Sequence, residues 1–230
     1  MLQWVWERAG SSGAAQVIIA TDDERVRAAA LAFGAEVEMT SAAHLSGTDR
    51  LAEVAARRRM GDADIIVNVQ GDEPLIPPDS IAALATALHQ HPDCQIATPV
   101  TPFTSREQWL DPNCVKAVRA LDGRALYFSR APIPWPRDSA AKGAGAAGAT
   151  QAEVGRAWRH IGLYAYRAAS LKQFAAWPPG ALEDMEKLEQ LRALEHGMGI
   201  HLLLMNEAPP PGIDTEEDLQ RVRALLNPGQ

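Results

Sequence analysis

The amino-acid sequence predicts an α/β protein: an open, doubly wound, Rossmann-like sheet with helices on both faces, and a smaller β-rich lobe. Three observations predict it. Apolar stripes at helical spacing alternate with short β-branched runs through the first hundred residues, the order that joins parallel strands by right-handed crossovers. The run Ile65-Ile66-Val67-Asn68-Val69 then stops in Gln70-Gly71-Asp72-Glu73-Pro74, a buried strand ending in an amide, a glycine and two carboxylates. From residue 96 the texture changes to short strands separated by turn residues.

Residues 2–9 fit a helix that Gly10, Ser11, Ser12 and Gly13 break before a strand at 16–20. Asp22 or Asp23 can cap the next helix, in which Val26, Ala29, Ala30 and Phe33 recur until Gly34 stops it. A strand at 36–39 and a polar segment at 40–48 follow. The pattern then gives a helix over 49–59, a strand over 64–69 and a proline-initiated helix over 79–89. Strands are expected at 96–100, 115–119 and 125–129, with a turn at 121–124. Residues 139–155, mostly Ala and Gly, carry little apolar surface to offset the entropy of ordering and are expected to be a mobile loop. Strand character resumes at 159–166, and Leu182, Met185, Leu188, Leu191 and Leu194 mark a helix ending near Gly197. A buried strand at 200–205 precedes a final helix that Thr215 caps, with Glu216, Glu217 and Asp218 in its first turn. The expectation is one domain over 1–230, with 100–165 as the β-rich lobe.

At 230 residues the chain can bury a full core. A net charge of -7 argues against a nucleic-acid-binding surface, which needs clustered cations to neutralise phosphates. The two cysteines, Cys94 and Cys114, have no metal-ligand spacing, so a reducing, cytoplasmic setting is expected. No apolar run approaches the ~20 residues that cross a bilayer, so no membrane association is expected.

In open α/β sheets ligands bind outside the carboxyl ends of the strands, where carboxylates can hold a Mg²⁺ ion that in turn holds phosphates. The Gln70 to Pro74 run fits that chemistry, and it fits an ordinary strand-ending turn equally well. Asp214, taken alone, reads as a turn aspartate before a helix, and His44 as a structural or solvent-exposed loop residue.

Three segments together resemble one family: HLSGTDR at 44–50, VNVQGDEP at 67–74 and ALYFSRAPIPW at 125–135. RHIGLYAYR at 159–167, LEQLR at 188–192 and GIDTEE at 212–217 extend the likeness along nearly the whole chain. The family is that of 3-deoxy-manno-octulosonate (Kdo) cytidylyltransferases, which join Kdo, an acidic eight-carbon sugar of bacterial lipopolysaccharide, to CMP from CTP with release of pyrophosphate. The resemblance implies a nucleotidyltransferase fold, a requirement for Mg²⁺, a cytoplasmic homodimer, and a sugar-binding and dimerisation role for the β-rich lobe. It implies Asp72 and Asp214 as catalytic metal ligands, Ser46, Gly47, Arg50 and Asp72 around the nucleotide, and Gln70, Arg130, His160, Tyr164 and Glu189 around the sugar. An Arg side chain suits the sugar carboxylate, which it can bind through paired hydrogen bonds. The sugar's own hydroxyl is the nucleophile, so no Ser/His/Asp arrangement is needed.

Family members also begin with a strand and a Lys-bearing loop that holds the triphosphate. The sequence opens where their first helix begins, so the first strand is expected to be missing from it, with slow turnover of CTP and lowered stability. Two other readings accompany the main one: a cytidylyltransferase for another acidic sugar, such as a sialic acid, and a nonenzymatic nucleotide-binding or dimer-partner module.

Overall fold

Helices flank both faces of a mixed sheet in this computed structural model, which describes residues 1–44, 46–140, 145–210, 212–213 and 215–226. The elements run α1 (Leu2–Gly10), β1 (Ile18–Thr21), α2 (Glu24–Ala32), β2 (Glu36–Met39), α3 (Gly47–Arg57), β3 (Ile65–Asn68), α4 (Pro78–Gln90) and β4 (Ile96–Pro102). They continue with α5 (Arg106–Leu110), β5 (Lys116–Arg119), β6 (Ala125–Ser129), α6 (Arg137–Ala140), a 3₁₀ turn (Gly145–Gly148), α7 (Gln151–Val154), β7 (Trp158–His160) and β8 (Tyr164–Arg167). The last are α8 (Ala168–Ala175), α9 (Ala181–Glu186), α10 (Gln190–Glu195), β9 (Ile200–Leu204) and α11 (Glu216–Leu226).

β1 and β2 pair in parallel as a separate two-stranded sheet. The larger sheet runs β3-β8-β4-β7-β5-β6, with β9 parallel to β4 on its other side. β8 is antiparallel to both β3 and β4, so β3, β4 and β9 share one direction and present their carboxyl ends at one end of the sheet. The helix-strand alternation thus gives the common strand direction, but the expectation of purely parallel neighbours is corrected by the antiparallel β8. β7, β5 and β6 continue the sheet as antiparallel pairs, in the stretch expected to be β-rich.

The pleat of β4 explains the two-faced core, because successive side chains point to opposite faces. Ile96 and Val100 join Phe128, Leu171, Leu191 and Ile200 on one face, whereas Ala97 joins Leu84, Leu88, Leu163 and Ala165 on the other, under α4. Pro78 starts α4, where a missing N–H costs no helical bond. At its other end the Arg167 guanidinium donates to the carbonyls of Leu88 and His91, placing a cation on the negative pole of the helix dipole.

Three further expectations are corrected. The segment 139–155 is not without apolar content: Ala149 and Val154 are buried against Phe103, Trp109 and Ala157, and Thr150 with Glu153 forms a reciprocal cap on α7. Residues 141–144 lie outside the described residues. The single strand expected at 159–166 is two, β7 and β8, because Ile161 and Leu163 turn back through a hydrogen bond between their own backbones. The single helix expected over 182–194 is α9 and α10, broken at Lys187, whose φ of 52° is left-handed and closed to an ordinary helix. None of the helices among the described residues is long and apolar enough to cross a membrane.

Lys116 is the least expected core residue. Its side chain is 0% exposed, and its Nζ donates to the carbonyls of Asp111 at 2.7 Å and Arg130 at 2.8 Å. Burial pushes its ammonium below the usual lysine range. Replacing Lys116 by Ala strands two inward-facing carbonyls, so a loss of roughly 2–3 kcal/mol in urea-unfolding stability is expected.

Candidate active site

The site grows from the end of β3. Asn68, its last residue, pairs in register with Tyr164, the first residue of β8. The start of α3 comes close to the same point: a Cβ added to Gly47 would sit 3.7 Å from the Asn68 side-chain amide. Ser46 caps α3 by accepting from the Asp49 N–H, which leaves the positive end of the helix beside the strand end. Leu45 lies outside the described residues.

On the sugar side of the prediction, three residues do come together. His160 contacts Tyr164 at 5.4 Å between ring centres, and the Thr48 hydroxyl of α3 donates to Glu189 Oε2 at 2.7 Å. Tyr164 and Tyr166 stack at 5.8 Å, and burial first, with the Glu189 charge adding to it, raises both tyrosine hydroxyls above their ordinary range. Oε1 of Glu189 is buried and has no hydrogen-bond partner among the described residues.

His160 packs edge-on against Phe128, and its Nε2 is 2.9 Å from the Thr98 hydroxyl. Thr98 also lies 2.8 Å from the Leu163 carbonyl, to which it can only donate. The pattern assigns the proton to Nε2 of a neutral imidazole and leaves Nδ1 as its acceptor. Burial lowers the His160 pKa to about 3, which sets it up as a hydrogen-bonding group and not as a proton carrier near neutrality. The unfolded chain binds a proton below about 6.5 that the folded one refuses until about 3, so stability falls as pH drops through that window. His160→Gln is expected to flatten this slope, as read from urea midpoints at pH 7 and pH 4.5.

Gln70 is exposed in the loop after β3, and Asp72 follows it half-buried. Among the described residues no hydrogen bond or ion pair engages the Asp72 carboxylate. Glu73 beside it is pushed up to about 7, first by burial and then by the Asp72 charge, so negative charge is crowded here. The C-terminal segment reaches the same place: the Ile213 N–H donates to the Asp72 carbonyl at 2.9 Å, and a Cβ on Gly212 would lie 3.2 Å from that oxygen. Asp214 lies outside the described residues, and among those described no group of three or more metal-ligating side chains is assembled.

Two arginines are more engaged than the sequence suggests. Arg50 bonds the Thr40 hydroxyl and pairs with Asp22 at 3.3 Å. Arg130 sends Nε to the Glu186 carbonyl at 2.7 Å and Nη1 to that of Pro112 at 3.0 Å, while its own N–H bonds the Glu186 carboxylate. It therefore braces the loop that leads to Glu189, and among the described residues no hydrogen bond joins it to His160 or Tyr164. His44 pairs with Glu53 on α3, in keeping with a structural loop residue. Sequence reasoning missed Thr48, Thr98 and Tyr166. Thr48 sits inside the matched HLSGTDR segment, the one signal that could have found it.

A strand end that meets a helix N-terminus and a half-buried cluster of His160, Tyr164 and Glu189, with a carboxylate in the loop that follows, is the site plan of a nucleotidyltransferase. Residues 1–200 match the family model described as cytidylyltransferase. The chain belongs to the 3-deoxy-manno-octulosonate cytidylyltransferase family. It is 52% identical over 228 residues to 3-deoxy-manno-octulosonate cytidylyltransferase 1 of Actinobacillus pleuropneumoniae serotype 5b, covering 98% of this chain and 88% of that one. It is also 52% identical over 236 residues to 3-deoxy-manno-octulosonate cytidylyltransferase of Cellvibrio japonicus, covering 100% and 89%. The structure of CMP:2-keto-3-deoxy-manno-octonic acid synthetase complexed with CTP superposes with a TM-score of 0.84 at 39% identity, over 99% of this chain and 87% of the other. A 4-diphosphocytidyl-2C-methyl-D-erythritol synthase shares the fold, with a TM-score of 0.60 at 14% identity over 98% of this chain and 89% of that one.

Proposed function

We propose that the protein transfers the cytidylyl group of CTP to Kdo, forming CMP-Kdo and pyrophosphate for lipopolysaccharide synthesis. The observation that carries it is the side-chain cluster at the end of β3, where His160, Tyr164 and Glu189 meet the Ser46-capped start of α3, in a chain 52% identical to a named cytidylyltransferase over 98% of its length. The sugar hydroxyl attacks the α-phosphorus. A new oxygen–phosphorus bond forms as the bond to the β-phosphate bridging oxygen breaks, the hydroxyl proton passes to solvent, and pyrophosphate departs. The work left to the protein is orientation and charge compensation. Ser46, Gly47 and Arg50 line the nucleotide side, and His160, Tyr164 and Glu189 meet the sugar hydroxyls. Gln70, exposed in the loop after β3, would join them on the sugar, and Arg130 would attract the sugar carboxylate while bracing its loop.

The oxygen donors at the strand end fit a Mg²⁺ ion, which takes few carboxylates and fills its octahedron with phosphate and water. Asp72, unengaged and crowded by Glu73, is the described residue that would hold it, with Asp214 as the second ligand. Such an ion would offset the negative charge gathering on the α-phosphate. The cytoplasm is the proposed setting, and a homodimer the proposed assembly, in which Leu126 of β6, 62% exposed, is a surface that a second copy would cover.

Following pyrophosphate release from CTP and Mg²⁺ with Kdo, and with sialic acid in its place, tests the reading. Release with Kdo alone is the expected result. Release with sialic acid only, or with neither sugar, would overturn it.

A further inference from the structure

We propose that Thr48 is a positioning residue for the sugar: its hydroxyl fixes the Glu189 carboxylate so that one oxygen is held ready for a substrate hydroxyl. The inference rests on the reading of the site given above and adds a residue to it. Thr48 lies in the first turn of α3, two residues after the Ser46 cap, and is 2% exposed. Its side chain is β-branched, so helix geometry leaves it few rotamers, and the direction of the hydroxyl follows from the direction of α3. That direction leads to Glu189 Oε2, 141 residues further along the chain.

Glu189 gains its orientation from this bond. It sits just before α10, after the left-handed Lys187, and Thr48 is the hydrogen-bond donor to its carboxylate among the described residues. With Oε2 taken, Oε1 is left buried with no partner among the described residues, and a carboxylate oxygen in that state costs free energy until a donor arrives. A sugar hydroxyl is such a donor. Tyr164 and Tyr166 stand beside the carboxylate, whose charge reaches both rings, and they narrow the choice of what can approach it. The same helix whose N-terminus faces the nucleotide thereby sets the group that reads the sugar.

The test compares Kdo and CTP in steady-state kinetics, with the Kdo dissociation constant measured by calorimetry as a second readout. Thr48→Val keeps the shape and removes the donor. It is expected to raise the KM and dissociation constant for Kdo about tenfold while leaving the KM for CTP within twofold. Thr48→Ser restores the donor and is expected to lie within threefold of the parent on both. In a Glu189→Ala background, Thr48→Val is expected to change Kdo binding less than twofold, because the group it acts through is gone. Should the valine variant not fold, Thr48→Ala carries the same comparison. Kdo constants unchanged by the loss of the hydroxyl, an equal rise in both KM values, or a full tenfold effect in the Glu189→Ala background would each overturn the inference. A parent protein that neither binds nor uses Kdo overturns the proposed function itself, whereas a parent active on Kdo with an unaffected Thr48→Val overturns this inference alone.

Discussion

Asp72→Asn is expected to lower turnover about a thousandfold while the thermal midpoint stays within a few degrees of the parent. The side chain is nearly isosteric and takes part in no hydrogen bond or ion pair among the described residues, so folding has little to lose. Catalysis has much to lose. Charge compensation at a transferring phosphoryl group is worth several kcal/mol, and each 1.36 kcal/mol is tenfold in rate. The substitution also relieves the crowding that helps hold Glu73 up near 7, so the Glu73 carboxyl is expected to titrate lower in the variant. Pyrophosphate release measured over a range of Mg²⁺ concentrations checks the first part. A variant within tenfold of the parent at every concentration would remove Asp72 from the proposed metal site.

The largest expected effect on stability belongs to Arg192→Ala, roughly 3–5 kcal/mol out of a total that is typically 5–15. Arg192 of α10 bonds both oxygens of Glu183 of α9, at 2.7 and 2.6 Å, and lies 4.5 Å above the Phe174 ring. The two side chains are only 8% and 13% exposed, so removing the cation leaves a carboxylate enclosed without its partner. Burial by itself raises the Glu183 pKa, but the Arg192 bonds and the Gly180 N–H more than reverse this, leaving it below its ordinary 4.5. A depressed carboxylate contributes stability that is present above its unfolded value, about 4.5, and is lost as pH falls through the folded one. Urea unfolding of the parent is therefore expected to weaken below about pH 4.5, and Glu183→Gln to show a shallower acid slope. The pair clasps α9 to α10 on either side of Lys187, so the same substitution also loosens the approach to Glu189.

How much of this was legible in the sequence depends on the range of the interaction concerned. The strands Glu36–Met39 and Ala125–Ser129 fall where the residue pattern put them, and Pro78 opens α4 as its chemistry requires. These are local effects. The antiparallel β8 between β3 and β4 was not legible, because an alternating pattern states which face a side chain takes and nothing about which neighbour or direction a strand will have. The break at Lys187 was hidden for a similar reason: the carbonyls of Glu186 and Lys187 are held by Arg130, whose side chain arrives from the residue after β6. Helix α8 was missed because its buried apolar stripe, Ala168, Leu171 and Phe174, spans less than two turns and is too short to show a period.

In the site, His160, Tyr164 and Glu189 were reached through the family's motifs, and the fold draws them to one strand end. The part that motif matching could not supply was the wiring. Thr98, which sets the tautomer of His160, lies on another strand 62 residues earlier, and Thr48 meets Glu189 across most of the chain. Nor could motif matching supply the second attachment of Arg130, whose guanidinium also bonds the main-chain oxygens of Pro112, Glu186 and Lys187.

The bond from Ile213 to the Asp72 carbonyl makes the end of the chain part of the β3 loop. Leu219 and Val222 of α11 line a cleft with Pro74 of that loop and Trp4 of α1, and Val222 is buried, so the tail is packed as well as bonded. A protease nick between β9 and α11 would release this latch and slacken the Asp72 turn while the core strands stayed paired. Limited digestion should then silence the enzyme well before it unfolds.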